Sequence, residues 1–259
     1  MKLLDLNLCI KKDNNNEVID LISNDNYDVI TFQEAMRGLD SGVFERYNSS
    51  NIIKEKTGYK NSFFGSLWVA RCHKKNGIVA RDFGGLTEQG NEIITNYSIL
   101  SSRNVFYYKN YSIFEEVSNF KNEDHGRAFT ESILDVDGKK LQVINVHGIW
   151  NEDKLGNVNT INQIKTILSN VRYDIPSIVV GDFNLLVESE SIKMFDSKMV
   201  NLISKYKISS TRPNFDDGLD KGNVVCDYIF VNDKVKVNDF KVLITDVSDH
   251  LPLILDFDI

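Results

Sequence analysis

Short apolar runs rich in β-branched residues recur along the whole chain of 259 residues. Polar residues or glycine bound most of these runs, which is the pattern of buried β-strands. The chain is therefore constrained to a sheet-based fold. The runs are Leu3–Leu8, Val29–Phe32, Ile78–Arg81, Ile93–Thr95, Val105–Tyr108, Ala128–Val136, Leu141–Val146, Ser177–Val180, Tyr228–Val231, Val237–Ile244 and Leu253–Phe257.

Helical periodicity occurs in only a few segments between these runs. Asp137-Gly138 is a typical hairpin turn and argues against an all-parallel sheet. We expect an α/β (α+β) protein with two packed sheets and outer helices, in one domain over residues 1–259 because no linker divides the chain. The predicted helices are Asn16–Ser23, Val43–Thr57 ending at Gly58, Val158–Val171 and Lys198–Tyr206.

Composition limits the classes of protein that fit. Hydrophobic residues make up 42% of the chain and charged residues 26%, which permits a large core. No apolar run approaches the length of about 18 residues that a membrane span needs, and the first residues lack the features of a signal peptide. Cys9, Cys72 and Cys226 are too sparse for a disulfide framework. We expect a cytoplasmic monomer in which Cys9 and Cys226, which lie in apolar strand-like runs, are buried free thiols.

The charge is unevenly distributed. The net charge of −7 argues against a non-specific nucleic-acid coat protein. Residues 37–109 nevertheless carry 11 Lys/Arg against 6 Asp/Glu, whereas the remainder carries 19 against 31. A basic stretch of this kind suits a phosphate-bearing substrate, and ordinary surface scatter explains it equally well.

Polar residues of catalytic type recur where the predicted strands end or begin. Each one alone is more often structural, but residues at the ends of strands gather on one edge of a sheet and can form a site. They are Asn7, Glu34, His147, Asp182, Asn184, Asp227, Asp249 and His250.

Three of these residues offer hard oxygen ligands. Glu34, Asp249 and the Asn7 amide suit Mg²⁺, with Mn²⁺ as a substitute, because these cations prefer oxygen and also contact substrate phosphate. Zinc is not indicated, because the chain has no CxxC or HExxH pattern. The set predicts metal-assisted transfer of a phosphoryl group to water.

The remaining residues could handle protons and charge. Asp182 can take a proton from the attacking water, and Asn184 can orient that water. His250 can stabilise charge on phosphorus if Asp227 holds its imidazole protonated.

The motifs FQEA, GDFN, DYIF and SDHLP, in this order, resemble those of the endonuclease/exonuclease/phosphatase superfamily. GNEIITNYSIL and GRAFTESIL followed by NVHG are also similar to segments of that family, so the likeness extends from Asn7 to His250. The resemblance implies a four-layer sandwich of two mixed, mostly antiparallel sheets flanked by helices. It also implies an active site at one open edge.

Further site residues follow from the same resemblance. His147 is implied as a second imidazole beside the phosphate and Arg127 as a phosphate contact, with Arg37 as a weaker candidate. Trp150, in the divergent segment after NVHG, could stack on a base or sugar, although a core position fits it slightly better. The arginine that the family usually has before the aspartate of DYIF is missing near Val225-Cys226.

Two functions of different classes remain open. The first is a phosphoesterase acting on DNA or RNA or, alternatively, on a small phosphoester or lipid headgroup such as inositol phosphate or sphingomyelin. The second is a binding module without catalysis, which the retention of Glu34, Asp182, Asn184 and His250 disfavours. His73 and His125 are interpreted as solvated loop histidines.

Overall fold

The computed structural model describes residues 1–9, 12–75, 78–114, 117–118, 125–212 and 224–259. Two mixed sheets pack face to face with helices outside them, which confirms the predicted sandwich. The pattern of apolar runs predicts the two packed sheets, and the four-layer arrangement is the one that the resemblance implies.

The first sheet has eight strands within the described residues. Their order across the sheet is β13-β14-β1-β2-β4-β3-β6, and β7 pairs separately with β3. The strands are β1 (Lys2–Asn7), β2 (Val29–Gly38), β3 (Asn61–Lys75), β4 (Ile78–Thr95), β6 (Ser112–Ile113), β7 (Val117–Ser118), β13 (Lys236–Val242) and β14 (Leu253–Asp258).

The second sheet has six strands in the part of the chain that is described, in the order β11-β12-β10-β9-β8-β5. The predicted hairpin turn joins β8 to β9, with positive φ at both Asp137 and Gly138 as a type I′ turn requires. The strands are β5 (Ser98–Tyr108), β8 (Arg127–Val136), β9 (Lys139–His147), β10 (Ser177–Asp182), β11 (Val200–Asn201) and β12 (Asp227–Val231).

Each sheet contains one central parallel pair with antiparallel strands on both sides. In the first sheet β1 runs parallel to β2, and in the second β9 runs parallel to β10. Antiparallel neighbours β14 and β4 flank the first pair, and β12 and β8 flank the second. Because parallel strands end at the same edge, each pair brings two carboxyl ends together.

The helices cover the outer faces of the sheets. Leu4 and Leu6 of β1 face α1 and α2, where they join Val18, Ile22 and Ile53 in one apolar cluster. The predicted segment 43–57 splits into a short 3₁₀ helix and α2, and the last predicted helix shortens to α5. The helices are α1 (Asn15–Ser23), the 3₁₀ helix (Glu45–Tyr47), α2 (Ser49–Thr57), α3 (Val158–Asn170), α4 (Glu190–Lys193) and α5 (Leu202–Lys205).

The layer between the sheets becomes polar toward one edge. Along the inward face of β1, Leu3 is followed by Asp5, which is 1% exposed. The Asp5 carboxyl accepts hydrogen bonds from Thr31 and from Gln33 Nε2, and Gln33 Nε2 also donates to Asn145 Oδ1 of the opposite sheet at 2.7 Å. The Asn145 amide donates in turn to the carbonyls of Phe32 and Glu92. These hydrogen bonds join the two sheets.

Burial raises the pKa of Asp5 to about 8, and the neighbouring Asp227 and Asp182 contribute to that rise against the two hydrogen bonds. Asp5 is therefore largely protonated at neutral pH. A neutral acid can be buried here at a far lower cost than a carboxylate.

One strand was missing from the predicted set, and one interpretation of the sequence was wrong. The segment 61–75 forms the long strand β3, which its glycine and polar residues concealed. His73 and His125 are buried, not solvated, and both rings pack against Trp68 at centroid distances of 5.4 and 5.6 Å. The cysteines agree with expectation, since none of the three forms a disulfide and Cys9 and Cys226 are buried; Cys72 is buried as well.

No helix within the described residues is long and apolar enough to cross a membrane.

The two buried histidines generate a prediction about acid stability. Burial, together with the nearby Arg81 charge, lowers the pKa of His73 to about 3, whereas an unfolded histidine titrates near 6.5. The unfolded chain therefore binds an extra proton between these values, so this contribution to stability is complete above pH 6.5 and is lost as the pH falls. His73→Phe should flatten the fall in unfolding free energy between about pH 6 and 4, by up to about 1.4 kcal/mol per pH unit.

The measurement is urea denaturation at a series of pH values. His73→Asn should show the same flattening, because it also removes the titrating group. Equal slopes for the parent protein and both variants would contradict the assignment.

Candidate active site

The carboxyl ends of the two parallel pairs carry the polar residues that the sequence places at strand ends. Asn7 ends β1, and His147 and Asp182 end β9 and β10 at paired positions. Asp227 begins β12 directly opposite Asp182. Residues from both sheets thus meet at one edge of the sandwich.

The carboxylate of Asp182 is the centre of this edge. Its Oδ2 accepts a hydrogen bond from Asn7 Nδ2 at 3.1 Å and one from Asn184 Nδ2 at 3.2 Å, while its Oδ1 accepts from the Asn184 backbone N–H at 2.8 Å. The Nε2 atoms of His147 and His250 each lie 3.9 Å from Oδ2. Burial raises the pKa of Asp182, an effect that His250 opposes and Asp227 reinforces.

The imidazole of His250 is held by a second carboxylate. His250 Nδ1 lies 2.8 Å from Asp227 Oδ1, and Thr211 Oγ1 donates to Asp227 Oδ2 at 2.6 Å. Burial alone would lower the pKa of His250, but Asp227 and Asp182 raise it to about 9. The ring is therefore a cation at neutral pH, with its Nε2–H on the side of Asp182.

The imidazole of His147, unlike that of His250, is neutral. Its Nε2 accepts a hydrogen bond from Arg127 Nη1 at 3.0 Å, because a guanidinium can only donate. Burial lowers the pKa of His147 well below its ordinary value, and the Arg127 charge adds to the effect. The neutral ring places Arg127 beside Asp182, and the Tyr107 hydroxyl donates to the His147 carbonyl at 2.6 Å.

Glycine is required behind these two strand ends. A Cβ on Gly148 would lie 2.1 Å from the carbonyl oxygen of Phe183, and a Cβ on Gly181 would lie 2.1 Å from that of Val146. The NVHG and GDFN motifs therefore owe their glycines to the close approach of two backbones.

A β-bulge presents Glu34. The register of β2 against β4 shifts between Phe32 and Ala35, and Glu34 adopts a positive φ of 54°. Bulges of this kind redirect a side chain, and strained backbone of this kind concentrates at functional sites. The Glu34 carboxylate interacts electrostatically with Arg127.

Asp249 lies next to the end of β1, to which its neighbour Ser248 is hydrogen-bonded. Its Oδ2 accepts from Arg212 Nη2 at 2.8 Å, and Ser248 Oγ donates to the Asn7 carbonyl at 2.7 Å. Burial alone would raise the pKa of Asp249, but His250 and Arg212 lower it below its ordinary value. Asp249 is therefore anionic.

Two groups of residues could be considered for a metal ion. Asp182, Cys226, Asp227 and His250 have potential ligand atoms within 4.8 Å of one another. Their atoms are already used internally, because Cys226 Sγ donates to Asp227 Oδ2 and His250 binds Oδ1 of the same carboxylate. Glu34, Asn7 and Asp249 instead supply oxygen donors without a thiol or imidazole, which fits Mg²⁺ or Mn²⁺.

Two further candidates for substrate binding have described contacts outside this network. Arg37 forms an ion pair with Glu88 and stacks over Phe64 at 4.2 Å. Trp150 is half-buried, with Lys154 Nζ 5.9 Å from its ring. The described contacts of neither residue reach Asp182.

Other residues of the site escaped sequence reasoning. Thr211 and Arg212 occur in a polar segment without strand periodicity, where an arginine is normally solvated, and Tyr107 and Ser248 have equally common surroundings. The local sequence contains no signal that would have singled them out.

Comparison with known proteins agrees with this geometry. A family model described as "Endonuclease/Exonuclease/phosphatase family" matches residues 7–250. A search of curated proteins found no match.

Solved structures share the fold at low sequence identity. A family protein from Leptotrichia buccalis has 20% identity and a TM-score of 0.69, with 100% of each chain covered. D. rerio TDP2, complexed with a single-strand DNA product, has 14% identity and a TM-score of 0.68, covering 100% of this chain and 99% of that one. A mannosyl-6-phosphatase from Bacteroides thetaiotaomicron has 15% identity and a TM-score of 0.64, with 100% of each chain covered.

The family match begins at Asn7, the last residue of β1, and includes the strands that end at His147 and Asp182 as well as the segment of Asp249 and His250. The chain belongs to the endonuclease/exonuclease/phosphatase family, whose members are phosphoester-hydrolysing enzymes.

Proposed function

We propose that this protein is a Mg²⁺- or Mn²⁺-dependent phosphodiesterase that cleaves a nucleic-acid strand, with Asp182 activating the attacking water. The observation that carries the proposal is the buried Asp182 carboxylate, fixed by two amide side chains and flanked by two imidazoles. A raised pKa makes this carboxylate a better base than an exposed aspartate.

Glu34, Asn7 and Asp249 would hold the cation. When bound, it would polarise a phosphoryl oxygen and offset developing negative charge. The Asn7 amide would serve two groups, because its Nδ2 already orients Asp182 while its Oδ1 accepts only the backbone N–H of Cys9 among the described contacts.

His250 and Arg127 would bind the phosphate from two sides. The protonated His250 directs Nε2–H toward the space beside Asp182, and Asp227 keeps that proton on the ring. Arg127 is held by the neutral His147, so that its charge stays within the site. Fixed donors of this kind stabilise a transition state at no cost in reorganisation.

Different observations support a nucleic acid and a small phosphomonoester as the substrate. The family resemblance to a protein complexed with single-strand DNA and the basic stretch 37–109 favour nucleic acid. A sugar phosphate or other small monoester is the second candidate, because Arg37, Arg71 and Arg103 of that stretch are all engaged in ion pairs with carboxylates. These pairs reduce the charge that a polyanion would meet.

A substrate panel tests the proposal. Single-strand DNA, RNA, mannose 6-phosphate and an inositol phosphate are assayed with Mg²⁺, with Mn²⁺ and with EDTA. We expect cleavage of a nucleic acid, abolished by EDTA, and a loss of about 10²–10⁴-fold in kcat for Asp182→Asn. On the nucleic acid, log(kcat/KM) should fall steeply with log salt, and replacing Arg71, Lys74 and Arg81 by glutamine should flatten that slope.

The matched control replaces Lys139, Lys140 and Lys236, which lie at the opposite end of the strands, and should leave the slope unchanged. Turnover confined to the monoesters, with no salt dependence, would replace the first candidate with the second. Activity that persists fully in EDTA would refute metal dependence.

The metal assignment is tested by calorimetric titration with Mg²⁺. Glu34→Gln should weaken Mg²⁺ binding by about tenfold or more, because it removes an anionic oxygen while preserving side-chain shape. Asn7→Ala should have a smaller effect, because an amide carries no net charge. Glu17→Gln, an exposed change on α1, is the control, and identical titrations for Glu34→Gln and this control would contradict the assignment.

The pH dependence of kcat/KM tests the Asp227–His250 pair. The pKa of His250 is raised above 6.5 to about 9, so the cation is present below that value and is lost as the pH rises through it. We expect an alkaline limb near pH 9 in the parent protein. Asp227→Asn removes the main charge that supports the imidazolium and should move this limb to lower pH.

Asp174→Asn, an exposed change beside β10, should leave the pH limb where it is. A profile of Asp227→Asn that superimposes on that of the parent protein would show that the pair does not set the limb.

A further inference from the structure

Arg212 is placed at the active-site edge by the residue that precedes it. Thr211 is fully buried, donates to Asp227 and accepts the backbone N–H groups of Cys226 and Asp227 at 3.1 and 3.2 Å. Its carbonyl accepts from the Leu251 N–H at 2.7 Å. The backbone at Thr211 is therefore tied both to the start of β12 and to the segment that carries Asp249 and His250.

The guanidinium of Arg212 lies among the acidic groups of the site. Its side chain is 9% exposed and is ion-paired with Asp249. Burial alone would lower the pKa of Arg212, but Cys226, Asp249, Asp182 and Asp227 together raise it above its ordinary value. A buried permanent charge is costly unless it is compensated, and this one interacts with three carboxyl groups whose residues come from three separate segments.

Arg212 also supplies a positive charge close to Val225-Cys226, where the arginine that usually precedes the aspartate of DYIF is missing. Val225 and Cys226 precede Asp227, and the Cys226 thiol points to Asp227 rather than outward. Arg212 pairs with Val224 in an isolated antiparallel bridge and so lies next to this segment. Its guanidinium therefore reaches the site from the segment that pairs with Val224.

We propose that Arg212 binds the substrate phosphate and that, without a divalent cation, it is the counterion of Asp249. The proposal rests on the proposed function and deepens it by naming a further phosphate-binding residue. A guanidinium has five N–H donors in a planar fork and can serve a carboxylate and a phosphate together. Because Asp249 is also expected to bind the cation, Arg212 and the metal ion compete for this carboxylate.

This arrangement has two consequences of opposite sign. Without the Arg212 charge, phosphate should bind more weakly, because a charge-assisted contact is lost. Mg²⁺ should bind more tightly, because Asp249 is released and a nearby positive charge is removed. If Arg212 had only a structural role, its replacement would weaken the binding of both phosphate and Mg²⁺.

The test titrates the purified full-length protein with Mg²⁺ alone and with inorganic phosphate alone, by calorimetry. Arg212→Gln should weaken phosphate binding by about 10–100-fold, which is the effect of losing one or two charged hydrogen bonds. It should strengthen Mg²⁺ binding by about three- to tenfold. Arg212→Lys keeps the charge but not the fork, so Mg²⁺ binding should stay near that of the parent protein while phosphate binding weakens.

Arg172→Gln is the matched control, since it makes the same charge change at an exposed pair with Asp174 before β10. Phosphate affinity of Arg212→Gln equal to that of this control would overturn the proposal. So would a loss of both affinities accompanied by a lower melting temperature. If Arg212→Gln does not fold, Arg212→Lys decides, because parent-like phosphate binding in that variant would exclude a role for the fork.

Both titrations are independent of turnover. A protein that hydrolyses none of the panel substrates but shows the two opposite changes would refute the proposed function and retain the role of Arg212 in binding phosphate.

Discussion

Every feature of the active-site edge depends on the stacking of two parallel strand pairs, β1–β2 and β9–β10, one in each sheet. A parallel pair ends with two carboxyl termini side by side, and stacking two such pairs places four strand ends at one edge. The antiparallel neighbours β12 and β14 then start from this edge, so that Asp227 and His250 arrive there without a separate element. A site built from distant parts of the sequence is thus a direct result of topology.

The polar layer between the sheets fixes how the two halves of the site face each other. Asn145 of the second sheet is hydrogen-bonded to Gln33 and to two carbonyls of the first. An apolar layer would let the sheets slide at little cost, whereas a buried amide that loses its partner costs about 1–3 kcal/mol. The Asn7–Asp182 hydrogen bond, which joins the two halves directly, relies on this register.

Sequence reasoning could identify the residues at strand ends because a polar residue interrupts an apolar run there, as Asp182 does after SIVVG. The same pattern of apolar runs predicts most of the strands and two packed sheets. It says nothing of Thr211 or Arg212, whose position depends on the bridge to Val224 and on the hydrogen bonds that tie Thr211 to β12 and to Leu251. It also misplaced His73, because burial of that ring by Trp68 and Phe83 depends on strand β3, which has no alternating pattern. The roles of individual site residues, the single domain and the monomeric state stay predictions.

The protonation of Asp5 has a consequence for the charge balance of the edge. Four carboxylates (Glu34, Asp182, Asp227 and Asp249) face three cations (Arg127, Arg212 and His250), with Asp182 counted in the ionised form that a base requires. The side chains then sum to one negative charge, and a single divalent cation reverses the sign to one positive charge. An ionised Asp5 beneath them would leave the same cation able only to neutralise the edge. If the proposed cation binds here, a protonated Asp5 would let it turn a surface that repels phosphate into one that attracts it.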